Sequence, residues 1–157
     1  MIERVRIKVK RARHHHLPLP LPSIQTAGAA GYDLYADIDE PIVFKPQERI
    51  LVPTGLQVAI PKGFEAQVRP RSGWALKYGV TLPNTPGTID SDYRGELKVI
   101  LIHHGSQELL IQRGDRIAQL VIQRVFQIEW SEVSDLDRTQ RDSGGFGHTG
   151  IASREQL

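Results

Sequence analysis

Short runs of apolar and β-branched residues recur along the chain: Ile42 to Phe44, Arg49 to Val52, Leu56 to Ile60, Glu65 to Arg69, Leu97 to Ile102, Glu108 to Ile111 and Ile117 to Phe126. Between them stand the turn-formers Pro46, Pro53, Gly55, Pro61, Gly63, Gly105 and Gly114. Many short strands punctuated in this way predict an all-β fold, a sandwich, jelly roll or small barrel. Nearer the N-terminus, Val5, Ile7 and Val9 alternate with Arg4, Arg6, Lys8 and Lys10, the period-2 pattern of a half-buried strand at an edge or surface. Only Gly73 to Gly79 invites a helix, with Ser72 as N-cap, Trp74, Ala75, Leu76 and Lys77 as tolerable formers, and Gly79 as the stop.

From Ser131 the pattern turns polar and leads into Arg141-Asp-Ser-Gly-Gly-Phe-Gly-His-Thr-Gly150. The expected organisation is a β domain over residues 1–130 and a C-terminal arm over 131–157 that works with it as one functional unit. Composition alone fits a disordered tail, but a plain linker has no need of Arg141, Phe146 and Thr149 at these places. Glycines let backbone N–H groups come close to a phosphate, an arginine fork binds its oxygens, and an aromatic ring stacks on a base. The arm is therefore expected to be a mobile lid that closes on a nucleotide.

At 157 residues with 39% hydrophobic positions the chain fits one domain with an ordinary core. It has no cysteine, which removes disulfides, thiolate metal sites and a cysteine nucleophile together. Residues 1–13 hold six basic residues and one acid, so the remainder of a chain of net charge +2 sums to −3. The basic character is local, and its alternation reads as a strand rather than a nucleic-acid arm, so no nucleic-acid partner is expected. There is no apolar signal-peptide core and no run of transmembrane length, so no membrane partner is expected and the cytoplasm is the expected address. His14 to His16 run straight into Leu17-Pro-Leu-Pro-Leu-Pro22, an extended connector, and ligands on a floppy lead-in make a weak metal site.

Candidate chemistry concentrates in a few blocks. In Asn84 to Gly95, Asp90 stands three residues before Tyr93. If Ser91 and Asp92 form a hairpin connection, the acid and the ring become a facing pair on one side of a sheet. A solvated turn with aspartates satisfying nearby N–H groups stays open for this segment by itself. Arg69-Pro-Arg-Ser-Gly73 offers a cation in Arg71, a hydroxyl in Ser72 and free N–H groups at the turn into the helix. Arg113-Gly-Asp115 reads as a turn rather than an adhesion tripeptide. On the strand that follows, Gln119 shares a face with Ile117 and Val121, as a satisfied core amide or as a site residue.

Five blocks in order, A-G-Y-D-L-Y-A, R-P-R-S-G, G-T-I-D-S-D-Y-R-G-E, R-G-D-R-I-A-Q-L-V and R-D-S-G-G-F-G-H-T-G, resemble the trimeric dUTP diphosphatases over about residues 17–150. The resemblance implies a distorted jelly roll, a homotrimer with active sites shared between subunits, and Mg²⁺-assisted hydrolysis of dUTP to dUMP and pyrophosphate. It implies Asp90 as the base that activates water, with Gln119 touching the water and α-phosphate region. Arg71, Ser72 and Gly73 would contact phosphates, and Tyr93 would pack on the deoxyribose. Asn84, with the backbone around Gly87 and Ile89, would read the uracil edge. Asp33 would lie near metal-bound waters. Arg141, Gly147 and Thr149 would close on the γ-phosphate with Phe146 over the uracil, and His148 would serve as a neutral or charged donor to the substrate. Asp142 stands where the family often has glycine, and His148 where it often has serine. Rival expectations are a dCTP deaminase of the same fold, which would lack the closing arm, and a non-catalytic nucleotide-binding regulator.

Overall fold

The computed structural model describes residues 4–145, which divide after Phe126 into two compact units. In the first, two four-stranded antiparallel sheets and a two-stranded one form a jelly roll with a single short helix. The first sheet runs β1 (Lys8–Arg11), β4 (Arg49–Ala59), β8 (Glu96–His103), β6 (Val80–Thr81). The second runs β2 (Tyr32–Tyr35), β10 (Arg116–Arg124), β5 (Phe64–Arg69), β7 (Gly87–Ile89), and the small sheet pairs β3 (Ile42–Phe44) with β9 (Leu109–Ile111). β8 shows why these residues make strands: Leu97, Val99, Leu101 and His103 point inward while Lys98 and Ile100 point out. With Leu34, Phe44, Val52, Ile111 and Ile117 they form one core.

The basic N-terminal pattern becomes the edge strand β1, paired with β4 from Lys8 opposite Ala59 to Arg11 opposite Leu56. Edge lysines deter pairing with a further chain. The two runs expected at Arg49–Val52 and Leu56–Ile60 form one strand, β4. Pro53 and Gly55 mark an irregularity between Pro53 and Gln57, where the register against β8 shifts. Gly55 holds φ +69, and a Cβ there would lie 2.1 Å from Asp37 Oδ2. β2, β6 and β7, none expected from the pattern, are too short and too interrupted by Asp33 or Gly87 for alternation to appear.

Three expectations need correction. The helix α1 spans Ser72–Tyr78, so its cap is Arg71 rather than Ser72, without a side-chain capping bond, while Gly79 closes it in the left-handed region at φ 67. The segment 91–92 does not join a hairpin, because β7 pairs with β5 in one sheet and β8 pairs with β4 and β6 in the other. The lead-in around His14 to His16 is tied down: Arg113 donates to Asp37 Oδ1 at 2.8 Å and to the Leu17 carbonyl at 3.1 Å. His15 Nε2 lies 3.2 Å from the same Asp37 oxygen without hydrogen-bond alignment. Arg113-Gly-Asp115 is thus a structural turn, and Gly114 N–H also donates to Ala36 O at 2.8 Å.

The second unit, 127–157, is described to residue 145 and has no helix or strand among those residues. Within it Arg141 Nε donates to Gly144 O at 2.8 Å, and Asp142 takes φ 44. That is a left-handed conformation that glycine holds without strain, which gives a physical sense to glycine at this position.

Candidate active site

Register places three polar residues in a row across the second sheet. Gln119 on β10 lies opposite Asp33 on β2 and opposite Arg69 on β5, and directly opposed residues share a face. A bulge between Arg116 and Ala118 resets the alternation, so Leu120 turns to the core and Gln119 and Val121 turn to the outer face. The expected sharing of a face by Ile117 and Gln119 does not hold for that reason. Over this face Asp33, Arg69, Gln119 and Val121, together with Gln25, Ala29–Gly31 and Arg71–Gly73, line a cleft of about 440 Å³.

Asp33 is buried and anchors two cations: Oδ1 lies 3.1 Å from Arg71 Nε and Oδ2 accepts from Arg116 Nη1 at 3.1 Å. Arg71 also donates through Nη1 to Arg116 O at 3.0 Å, so its guanidinium is held at the cleft mouth. Gln119 Nε2 donates to Pro70 O at 2.9 Å, which ties the row to the same loop. The sequence reading missed Arg69 and Arg116. Arg69 was visible inside the R-P-R-S-G block, but strand pairing alone shows that it faces Gln119.

A second cleft, about 410 Å³, is lined by Leu51, Thr88, Ile89, Asp90, Tyr93, Glu96 and Lys98. Tyr93 N–H donates to Asp90 O at 3.2 Å, so Ser91 and Asp92 are the centre of a four-residue turn. The Tyr93 hydroxyl donates to Glu96 O at 3.0 Å and its ring lies across Gly95, where a Cβ would be 2.5 Å from Cζ. Asn84 packs over Gly87, whose missing Cβ would lie 2.9 Å from Asn84 Nδ2. Asp90 is exposed on the turn and Asn84 on the preceding loop.

The expected site residues therefore fall into two groups on one chain. Asp33, Arg71, Ser72, Gly73 and Gln119 share the first cleft, and Ile89, Asp90 and Tyr93 share the second, with Gly87 and Asn84 next to it. Arg141 lies in the second unit, and Phe146, Gly147, His148 and Thr149 lie outside the described residues. No group of three or more His, Cys, Asp or Glu residues among those described could hold a metal ion by itself.

Fold and site together define a jelly-roll protein with a cationic cleft on one sheet and a carboxylate beside an aromatic ring in another cleft. The sequence model of the dUTPase family matches residues 18–150. The chain belongs to the dUTPase family. It is 57% identical over 126 residues to a protein of Fusobacterium nucleatum named deoxyuridine 5'-triphosphate nucleotidohydrolase, covering 80% of this chain and 86% of that one. A Treponema denticola protein of the same name is 57% identical over 128 residues, covering 82% and 89%. Among solved structures, the dUTPase of Staphylococcus bacteriophage 80alpha with dUPNHPP superposes with a TM-score of 0.79 at 25% identity, covering 93% of this chain and 99% of that one. A dUTPase variant from phage phi11 of S. aureus, described with a structural Mg(II) ion, matches with a TM-score of 0.72 over 83% and 97% of the chains. At 23% identity that likeness bears on the fold alone.

Proposed function

We propose that this chain hydrolyses dUTP to dUMP and pyrophosphate, in a homotrimer whose active sites are shared between copies. The observation that carries the reading is the Asp90–Tyr93 turn, which sets an exposed carboxylate and an aromatic ring on the wall of one cleft. Asp90 takes a proton from water as its oxygen bonds to the α-phosphorus. The bond from that phosphorus to the bridging oxygen breaks, and pyrophosphate leaves with its negative charge. Gln119 orients the water and α-phosphate, while Arg71, Ser72 and Gly73 hold the phosphate chain. Tyr93 packs against the deoxyribose, where a 2′-hydroxyl has no room. Asn84, seated over Gly87, reads the uracil edge with the backbone of Gly87 and Ile89. Arg141, Phe146, Gly147, His148 and Thr149 belong to an arm, 131–157, that closes over the nucleotide.

The absence of a three-ligand cluster among the described residues suits Mg²⁺ held chiefly by substrate phosphates and water. When bound, Mg²⁺ offsets the phosphate charge that would otherwise repel the nucleophile. Asp33 Oδ1 is ion-paired with Arg71 and Oδ2 accepts from Arg116, and each oxygen keeps a further lone pair to which a water on the metal would donate.

Two features support sharing between copies. The base and the phosphate-holding row line different clefts of one chain, whereas in-line attack needs both groups at one phosphorus. The second unit also exposes Ile128, Trp130 and Leu136, apolar side chains that a partner surface would cover. Among the described residues no helix is long and apolar enough to cross a membrane, and a cytoplasmic address fits a nucleotide substrate.

Pyrophosphate release measured with Mg²⁺ and each of dUTP, dTTP, dCTP and UTP tests the assignment. Release from dUTP alone is expected. Deaminated product from dCTP, or binding of dUTP without turnover, would overturn it in favour of the deaminase or the regulator.

A further inference from the structure

We propose that Arg69 is a further phosphate-binding residue of the first cleft, and that Gln67 and Glu65 hold it in place while leaving its charge uncompensated. Along β5 the side chains of Ala66 and Val68 enter the core, so Glu65, Gln67 and Arg69 project together from the opposite face. Gln67 Nε2 donates to Glu65 Oε1 at 2.7 Å. Gln67 Oε1 then accepts from Arg69 Nε at 3.1 Å and from Arg69 Nη2 at 2.5 Å. The order of this relay is forced by chemistry. Turning the amide over would aim its NH₂ at the guanidinium donors and its oxygen at a carboxylate, so both contacts would become repulsive.

The consequence is electrostatic. Arg71 and Arg116 share the Asp33 carboxylate, whereas among the described residues no carboxylate pairs with Arg69. A neutral amide fixes its fork, and the nearest acid on the strand, Glu65, stands four residues away, about 13 Å along it. Arg69 therefore presents a full positive charge, already oriented, at a position directly opposite Gln119 and inside the cleft. An oriented cation without a counter-ion suits a polyphosphate oxygen, because binding needs no prior ion pair to be broken. The inference rests on the dUTP reading for the identity of the substrate and not for the chemistry of the contact.

The test is an exchange of the two relay residues, Glu65→Gln with Gln67→Glu. Composition and net charge are unchanged and each hydrogen bond in the relay can still form, but the acid now pairs with Arg69. Binding of inorganic triphosphate, and of a non-hydrolysable imido analogue of dUTP, is measured with Mg²⁺ alongside thermal melting. The exchange and Arg69→Gln are expected to weaken both ligands roughly tenfold to a hundredfold, while Arg69→Lys stays much closer to wild type. In turnover the loss should fall mainly on KM. A role confined to holding the strand would lower the melting temperature without changing affinity, and that result overturns the proposal. So does wild-type affinity in Arg69→Gln, or a wild-type protein that binds neither ligand. If wild type binds inorganic triphosphate in an Arg69-dependent way yet leaves dUTP intact, the substrate assignment fails and the role of Arg69 stands.

Discussion

Gly31→Ala connects one missing side chain to the site. A Cβ at Gly31 would lie 2.1 Å from Gln119 Oε1, 3.0 Å from Cδ and 3.4 Å from Cβ. The backbone has little freedom to retreat, since the next residue, Tyr32, is already in register with Leu120. The amide of Gln119 must turn away and give up its 2.9 Å bond to Pro70 O. Losing that bond costs about 0.5–1.5 kcal/mol and an off-rotamer side chain about as much again. Replacing glycine where no left-handed φ is needed returns about 0.4–1 kcal/mol through the unfolded chain. The net expectation is a loss of roughly 1–2 kcal/mol, read as a melting temperature lower by about 3–8 °C. Turnover should fall as well, because the displaced amide leaves the row it forms with Asp33 and Arg69. Gly28→Ala is the control, since nothing lies within 4 Å of a Cβ there. The decisive measurement is a double-mutant cycle: in a Gln119→Ala background the same Gly31→Ala change should become neutral or stabilising. An equal loss in both backgrounds would refute the steric account.

Gly55→Ala should cost about 2–4 kcal/mol in chemical denaturation, because it forces a left-handed φ of +69 on alanine and drives Cβ to 2.1 Å from Asp37 Oδ2. His103→Leu preserves bulk but leaves the Gly105 N–H, bonded to Nδ1 at 3.1 Å, and the Gln107 carbonyl, 2.7 Å from Nε2, without their partner. A loss of about 2–4 kcal/mol in the unfolding free energy from urea denaturation is expected, and a neutral result would mean that water replaces both bonds. Asp90→Asn should keep the affinity for the imido analogue while kcat falls about 10²- to 10⁴-fold; wild-type turnover would remove Asp90 from the role of base. Deleting residues 140–157 should leave the melting temperature of the 1–126 unit unchanged and depress turnover. Unfolding, or full activity, would refute the lid.

Much of the fold was legible because core strands such as β5 and β8 obey a period of two without interruption. β8 alternates from Glu96 to His103, and β3 was found with its observed bounds. Legibility failed where a strand carries polar residues or glycine in place of apolar ones. Asp33 occupies the middle of β2, and β7 is three residues long and opens with a glycine that Asn84 requires. Pro53 and Gly55 misled in the opposite sense: both are turn-formers, but in β4 they mark a bulge within one long strand. The residue blocks named several of the side chains that line the first cleft. They did not show that Arg71 is bound to Asp33 and Arg69 to a neutral amide, because Asp33, Arg69 and Gln119 meet only through the pairing of β2, β10 and β5.

The Asp90–Tyr93 turn shows why local pattern and tertiary role can separate. Its hydrogen bond, Tyr93 N–H to Asp90 O, is the one a tight turn requires, and nothing local distinguishes a hairpin from a corner between sheets. The difference lies in where the flanking strands find partners: β7 joins β5, and β8 joins β4 and β6. A hairpin would have placed the acid and the ring side by side on one sheet surface, open to water. At a corner, Thr88 and Ile89 come from one sheet while Leu51, Glu96 and Lys98 come from the other, so the chain encloses a concavity as it crosses. The cleft is concave because β7 and β8 part company at this turn, and Asp90 and Tyr93 are the residues left at the point of parting.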